Sequence, residues 1–223
     1  MSLYIISLPI GNPKDISQRA IECLLDSDLV IGEEFKQTSK LLKQLGKTQN
    51  FELLNEHTRE EEIFLLLQKV KTSRLTSLVC DVGTPLLEDP GLKLIQLCIQ
   101  NQIPIKAIPG ANALLTALVL SGMPITPFTF FGFLPQETEK RKLAIQKALS
   151  LKHTLVFYET PYRYKKFIYE FEKYLSKDTI VFLGLNLTAE EEFQFHGNFG
   201  TLLSIVNQLP KAPPVFIVGN FLK

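Results

Sequence analysis

The feature that most restricts how this chain can fold is a regular alternation. Short unbroken apolar runs give way to stretches of helical spacing, almost from one end of the sequence to the other. Leu3-Tyr4-Ile5-Ile6-Ser7 predicts a buried strand, and Gly11-Asn12-Pro13 a turn that ends it. Asp15 is then a candidate N-cap for a helix whose apolar face is Ile16, Ala20, Ile21, Leu24 and Leu25. Leu29-Val30-Ile31 is the next strand, followed by a helix through Leu41, Leu42 and Leu45 that stops at Gly46. Thr58 with Glu61 three residues later has the pattern of a capping box for a helix carrying Ile63, Leu66, Leu67 and Val70. A strand over 77–80, a helix over 91–100, a strand over 103–108 and a small-residue helix over 111–120 complete this half.

The segment Gly122-Met123-Pro124-Ile125-Thr126-Pro127 is the candidate linker, giving expected domains at 1–122 and 123–223. Beyond it the alternation resumes, with strands over 128–133, 154–158, 179–183 and 215–218 and helices over 137–149, 162–174 and 202–206. Such alternation predicts an α/β protein, two small α/β domains with largely parallel sheets.

Composition narrows the function. With 24 basic and 23 acidic side chains the net charge is +1, so any grip on nucleic acid must come from a local patch. No apolar stretch reaches membrane-spanning length, and the opening MSLYIISLPIGN lacks the basic lead of a signal peptide. Cys23, Cys80 and Cys98 are scattered within apolar segments, which suits free thiols in a reducing, cytoplasmic compartment. His57, His153 and His196 are equally dispersed, and no metal site is expected.

In open α/β sheets ligands bind beyond the carboxyl ends of the strands. Three loops at such positions stand out: Leu8-Pro9-Ile10-Gly11-Asn12, Asp81-Val82-Gly83-Thr84-Pro85 running on to Asp89-Pro90-Gly91, and Pro109-Gly110-Ala111-Asn112-Ala113. Singly each is also an ordinary turn; together they suggest a ligand approached by backbone. Neither a G-x-x-x-x-G-K-[ST] phosphate loop nor a G-x-G-x-x-G fingerprint is present, which disfavours a nucleoside triphosphate enzyme or a dinucleotide dehydrogenase.

The stretches LYIISLPIGNPKDISQRA, TSKLLKQLG, LNEH, SLVCDVGTPLLEDPG, IPGANALLTALVLSGMP, FFGFLP and LVFYETPYR carry a resemblance. In this order, across residues 3–163, the chain resembles the tetrapyrrole methylase family, the class III S-adenosylmethionine-dependent methyltransferases. Within that family it is most similar to the branch of ribosomal small-subunit RNA cytidine 2′-O-methyltransferases. The resemblance implies a homodimer, with S-adenosylmethionine bent into the cleft between two α/β domains. It further implies cofactor contacts from Pro9, Val82, Gly83, Thr84, Leu87, Asn112, Ala113 and Glu159. The Asp81 or Glu159 carboxylate and turn carbonyls suit the cofactor's amino groups, and Leu87, Leu134 and Tyr158 suit an adenine ring.

The acceptor side departs from the branch. Where the branch reads A-E-D-T-R this chain has Gly32-Glu33-Glu34-Phe35-Lys36, and where it reads A-R-E-L-T the chain has Gly184-Leu185-Asn186-Leu187-Thr188. Ala212-Pro213-Pro214-Val215 replaces a G-E-M-V-style entry to the last strand, and the chain ends at Lys223 without the branch's small C-terminal extension. Glu33 and Arg163 are the candidates for activating and positioning the acceptor, although Glu33-Glu34 is equally a solvated helix start. Lys36, Lys40 and Arg141 are candidate phosphate contacts, and an exposed helix face explains them as well. The expected activity is methyl transfer to a ribose hydroxyl of ribosomal RNA. A tetrapyrrole or other small acceptor is the first alternative, and a cofactor-binding module without catalysis the second.

Overall fold

A computed structural model describes residues 1–219. Its contacts divide the chain into two units, one spanning Met1–Asn112 and the other beginning at Ala113. That division lies ahead of the Gly122–Pro127 segment expected as the linker, because the helix between them packs against strands of the second unit. Among the described residues no helix is long and apolar enough to cross a membrane.

The first unit contains β1 (Leu3–Ile6), α1 (Gln18–Asp26), β2 (Leu29–Gly32), α2 (Phe35–Gln44) and β3 (Glu52–Leu53). It continues with α3 (Glu60–Thr72), β4 (Thr76–Leu78), α4 (Leu92–Gln100) and β5 (Ile105–Ile108). The five strands form one wholly parallel sheet in the order β3-β2-β4-β1-β5. Alternate strand residues feed two cores. Leu3, Ile31 and Leu78 join Leu66, Val70, Leu94 and Leu97 of α3 and α4 on one face. Ile6, Val30 and Val79 join Ala20, Leu24 and Leu42 of α1 and α2 on the other. Burial on both faces is why β1 and β2 read as unbroken apolar runs.

The second unit contains α5 (Ala113–Ser121), β6 (Phe128–Phe133), α6 (Thr138–Ser150), β7 (Thr154–Tyr158) and α7 (Tyr164–Glu170). It ends with β8 (Ile180–Leu185), β9 (Phe193–Asn198), α8 (Phe199–Ile205) and β10 (Pro214–Gly219). Its sheet runs β6-β7-β10-β8-β9. Only β6–β7 is parallel; β7–β10, β10–β8 and β8–β9 are antiparallel. The α/β class and the parallel character of the first sheet match the expectation, while the second sheet is mixed. One face carries a core in which Phe157, Phe167, Phe171 and Phe216 meet with ring centroids 5.0–6.5 Å apart. Helix α5 packs on β8 and β10.

Two caps differ from the sequence reading. Asp15 ends a short 3₁₀ turn capped by Asn12, and the N-cap of α1 is Ser17, whose hydroxyl accepts from the Ala20 N–H. At α3 the capping carboxylate is Glu62, which accepts from the Arg59 backbone N–H at 2.8 Å. Thr58 instead closes the preceding turn by accepting from the Asn55 N–H.

Candidate active site at the switch point of the parallel sheet

The chain leaves β1 through α1 toward one side of the sheet and leaves β4 through α4 toward the other, with α1 and α4 on opposite faces. Strands β1 and β4 are neighbours, so their carboxyl ends form the topological switch point where ligands of such sheets bind.

The three loops singled out in the sequence meet there. The Leu8 N–H donates to the Gly83 carbonyl at 2.7 Å, and the Gly83 N–H reaches the Pro9 carbonyl at 3.4 Å. Thr84 Oγ1 lies 3.0 Å from Ser7 Oγ, donates to the Ala111 carbonyl at 3.3 Å and accepts from Asn112 Nδ2 at 3.2 Å. One hydroxyl thus ties the ends of β1, β4 and β5. Two glycines permit this closeness. Gly83 has φ +77°, and a Cβ there would lie 3.3 Å from Ile10 Cγ2. At Gly110 a Cβ would come within 3.0 Å of the Ser7 Cβ. Gly110 belongs to the third of the loops marked in the sequence, whereas Ser7 lies outside all three, its signal being a polar residue that ends an apolar strand before Pro9.

Beside these loops sits a group of carboxylates. The Asp81 N–H donates to Glu33 Oε2 at 3.2 Å, and the Glu34 N–H donates to Asp81 Oδ1 at 3.2 Å, so the ends of β2 and β4 exchange backbone-to-carboxylate bonds. Burial raises the Glu33 carboxyl above its ordinary range, against the lowering effect of the Asp81 N–H, with Asp89 and Asp81 adding repulsion. Asp81 and Asp89 are raised too, again chiefly by burial. A groove of about 430 Å³ opens next to them, lined by Pro9, Gly11, Lys40, Leu41, Asp81 and Val82 among others. Leu87 is half-buried in the β4–α4 loop, while Lys36 and Lys40 are exposed on α2.

Ala113, Arg141, Glu159 and Arg163 belong to the second unit. Glu159 is 5% exposed; its Oε2 accepts from Arg163 Nη2 at 2.8 Å and its Oε1 from the Thr160 N–H at 2.7 Å. The carboxylate therefore holds the Arg163 guanidinium in place. Arg141 corrects the sequence reading. It is 8% exposed, forms a two-pronged pair with Glu170 at 2.6 and 2.8 Å, and donates to the Pro135 and Gln136 carbonyls. Its guanidinium clamps α6 to α7 and is not an open phosphate contact.

A parallel α/β unit with Gly/Pro loops gathered at its switch point, followed by an α/β unit with a mixed sheet, defines a two-unit ligand-binding α/β protein. The model of the Tetrapyrrole (Corrin/Porphyrin) Methylases matches residues 2–203, and the chain belongs to that family. It is 44% identical over 222 residues to the "Ribosomal RNA small subunit methyltransferase I" of Leptospira borgpetersenii, covering 98% of this chain and 88% of the relative. The protein of the same name from Pasteurella multocida is 34% identical, with 99% and 80% covered. Among solved structures, diphthine synthase superposes with a TM-score of 0.74 at 18% identity, covering 97% of this chain and 88% of the other. Uroporphyrin-III C-methyl transferase from Thermus thermophilus, complexed with S-adenyl homocysteine, gives 0.67 at 16% identity, with 98% and 97% covered. These two likenesses concern the fold.

Proposed function

We propose that this chain is an S-adenosylmethionine-dependent methyltransferase acting on the RNA of the small ribosomal subunit, at a ribose 2′-hydroxyl. The observation that carries this reading is the convergence of three Gly/Pro loops on Thr84 at the switch point, in a chain whose relatives are named for methylating that RNA. The residues present suit the cofactor. Backbone approaches without a Cβ at Gly83 and Gly110, and Pro9, Val82, Leu87, Asn112 and Ala113 offer carbonyls and apolar walls. The Asp81 carboxylate suits a cationic ammonium.

When bound, the cofactor supplies a methyl group already activated by its sulfonium, which leaves alignment and proton removal to the protein. Glu33 is the candidate base: burial raises its proton affinity, and the Asp81 N–H fixes one oxygen while the carboxylate remains half-buried. Lys36 and Lys40, four residues apart on α2, are suited to backbone phosphates, and Arg163, held by Glu159, to positioning the acceptor strand. Glu159, in the second unit, is retained as a cofactor contact on the strength of the family resemblance.

Leu115 and Val119, 56% and 75% exposed one turn apart on α5, form an apolar stripe that a second copy of the chain would cover, which supports a homodimer. Cys80 and Cys98 are buried and Cys23 half-buried, all unpaired, which agrees with a cytoplasmic location. Mass spectrometry of small-subunit RNA nucleosides from cells with and without the gene tests the function. One 2′-O-methylated nucleoside is expected to disappear with the gene; an unchanged nucleoside profile would refute it.

A further inference from the structure

Phe35 is the first residue of α2, two positions past Glu33, and it is 67% exposed. A phenylalanine so open forfeits most of the stabilisation its burial would give. It is nevertheless not adrift: its ring packs on half-buried Phe51, with centroids 5.2 Å apart and planes tilted by 40°. The pair borders an open groove of about 720 Å³ whose lining also includes Asn55, His57, Thr58 and Lys69. Polar groups and the leucines Leu53 and Leu65 thus share the groove that the aromatic pair borders, and Lys36 and Lys40 follow Phe35 on the same helix.

We propose that Phe35, backed by Phe51, is a stacking platform for a base of single-stranded RNA beside the acceptor ribose; the inference rests on RNA being the substrate. Sequence-specific RNA recognition works largely by splaying bases onto aromatic side chains, with neighbouring polar groups reading their edges. The first unit alone supplies each part of that arrangement. Phe35 follows the Glu33-Glu34 pair directly in the chain, and the exposed cations Lys36 and Lys40 lie on the same helix, within reach of a nucleic-acid backbone passing over α2. The threonine-to-phenylalanine departure at this position is then a gain in base contact.

The chain contains no tryptophan, so Phe35→Trp installs a single tryptophan, excited selectively over the tyrosines. In methyl transfer to small subunits lacking the modification, Phe35→Ala and Phe35→Leu are expected to raise KM for RNA about tenfold, with kcat and cofactor affinity retained. Phe35→Trp is expected to keep KM near wild type, and its emission to be quenched by protein-free small-subunit RNA. Wild-type KM in Phe35→Leu, or an unquenched Phe35→Trp, would overturn the platform while leaving the methyltransferase reading intact. Loss of dimer mass in Phe35→Ala with KM unchanged would assign the ring to a protein contact and overturn it too. Absence of transfer by the wild-type chain would remove both readings together.

Discussion

Glu33 and Gly83 carry most of the proposed chemistry, for opposite physical reasons. A carboxyl whose folded-state pKa is raised binds protons more tightly folded than unfolded. Its contribution to stability is therefore fully present below the unfolded carboxylate range and lost as pH rises through the folded value. At neutral pH ionised Glu33 costs stability. Glu33→Gln, whose amide oxygen still accepts from the Asp81 N–H, is expected to melt above wild type at pH 7. That difference should vanish in acid, where both side chains are neutral. The same variant is expected to lose methyl transfer by about 100-fold or more, as removal of a general base does, and with it the acidic limb of kcat/KM against pH. A variant that loses neither would show Glu33 to be a solvated helix start. Gly83 is a matter of space: with φ +77°, Gly83→Val imposes both a disfavoured backbone and a crowded Cβ beside Ile10. Calorimetry is expected to find no S-adenosylhomocysteine binding in a Gly83→Val chain that remains folded. Wild-type affinity there would remove the loop from the site.

At the level of helices and strands, Arg141 was misread for an instructive reason. In the sequence it stands between Lys140 and Lys142 and looks like one of a basic run. The helix period turns it inward alone, to 8% exposure, where Glu170 and two carbonyls receive it. Arg141→Ala leaves Glu170 unpaired between α6 and α7 and is expected to cost on the order of 3 kcal/mol in denaturant unfolding. The salt dependence of RNA binding should stay the same, whereas Lys36→Ala with Lys40→Ala should flatten it. Most strands were legible because double-sided burial writes an unbroken apolar run, and β6 and β7 match their expected bounds. Two were not. β3 is only Glu52–Leu53, and β9, at the sheet's edge, alternates Phe193 and Phe195 with polar residues before His196-Gly197-Asn198, which reads as loop. The pairing directions of the second sheet were hidden for the same cause, since three of its pairings follow from β9 and from β10 entering between β7 and β8. At the site, the Gly/Pro loops were legible because tight turns need those residue types. The bonds that join them through Ser7 and Thr84 depend on strand order, which no local pattern encodes.

For the molecule as a whole, a net charge of +1 means that binding to RNA must be local and therefore removable by few substitutions. The proposed homodimer is tested on the apolar stripe of α5. Light scattering at micromolar concentration is expected to give twice the 25.3 kDa chain mass, and Leu115→Lys with Val119→Lys to give the single mass. A wild-type monomer would contradict the dimer without touching the fold. The most direct test of the function uses purified protein and S-adenosylmethionine labelled in its methyl group. Two acceptors are offered separately: small ribosomal subunits from cells lacking the gene, and a precorrin-type tetrapyrrole. Label is expected in the RNA, on a ribose 2′-oxygen, and absent from the tetrapyrrole; label in the tetrapyrrole with none in the RNA would contradict the proposed acceptor.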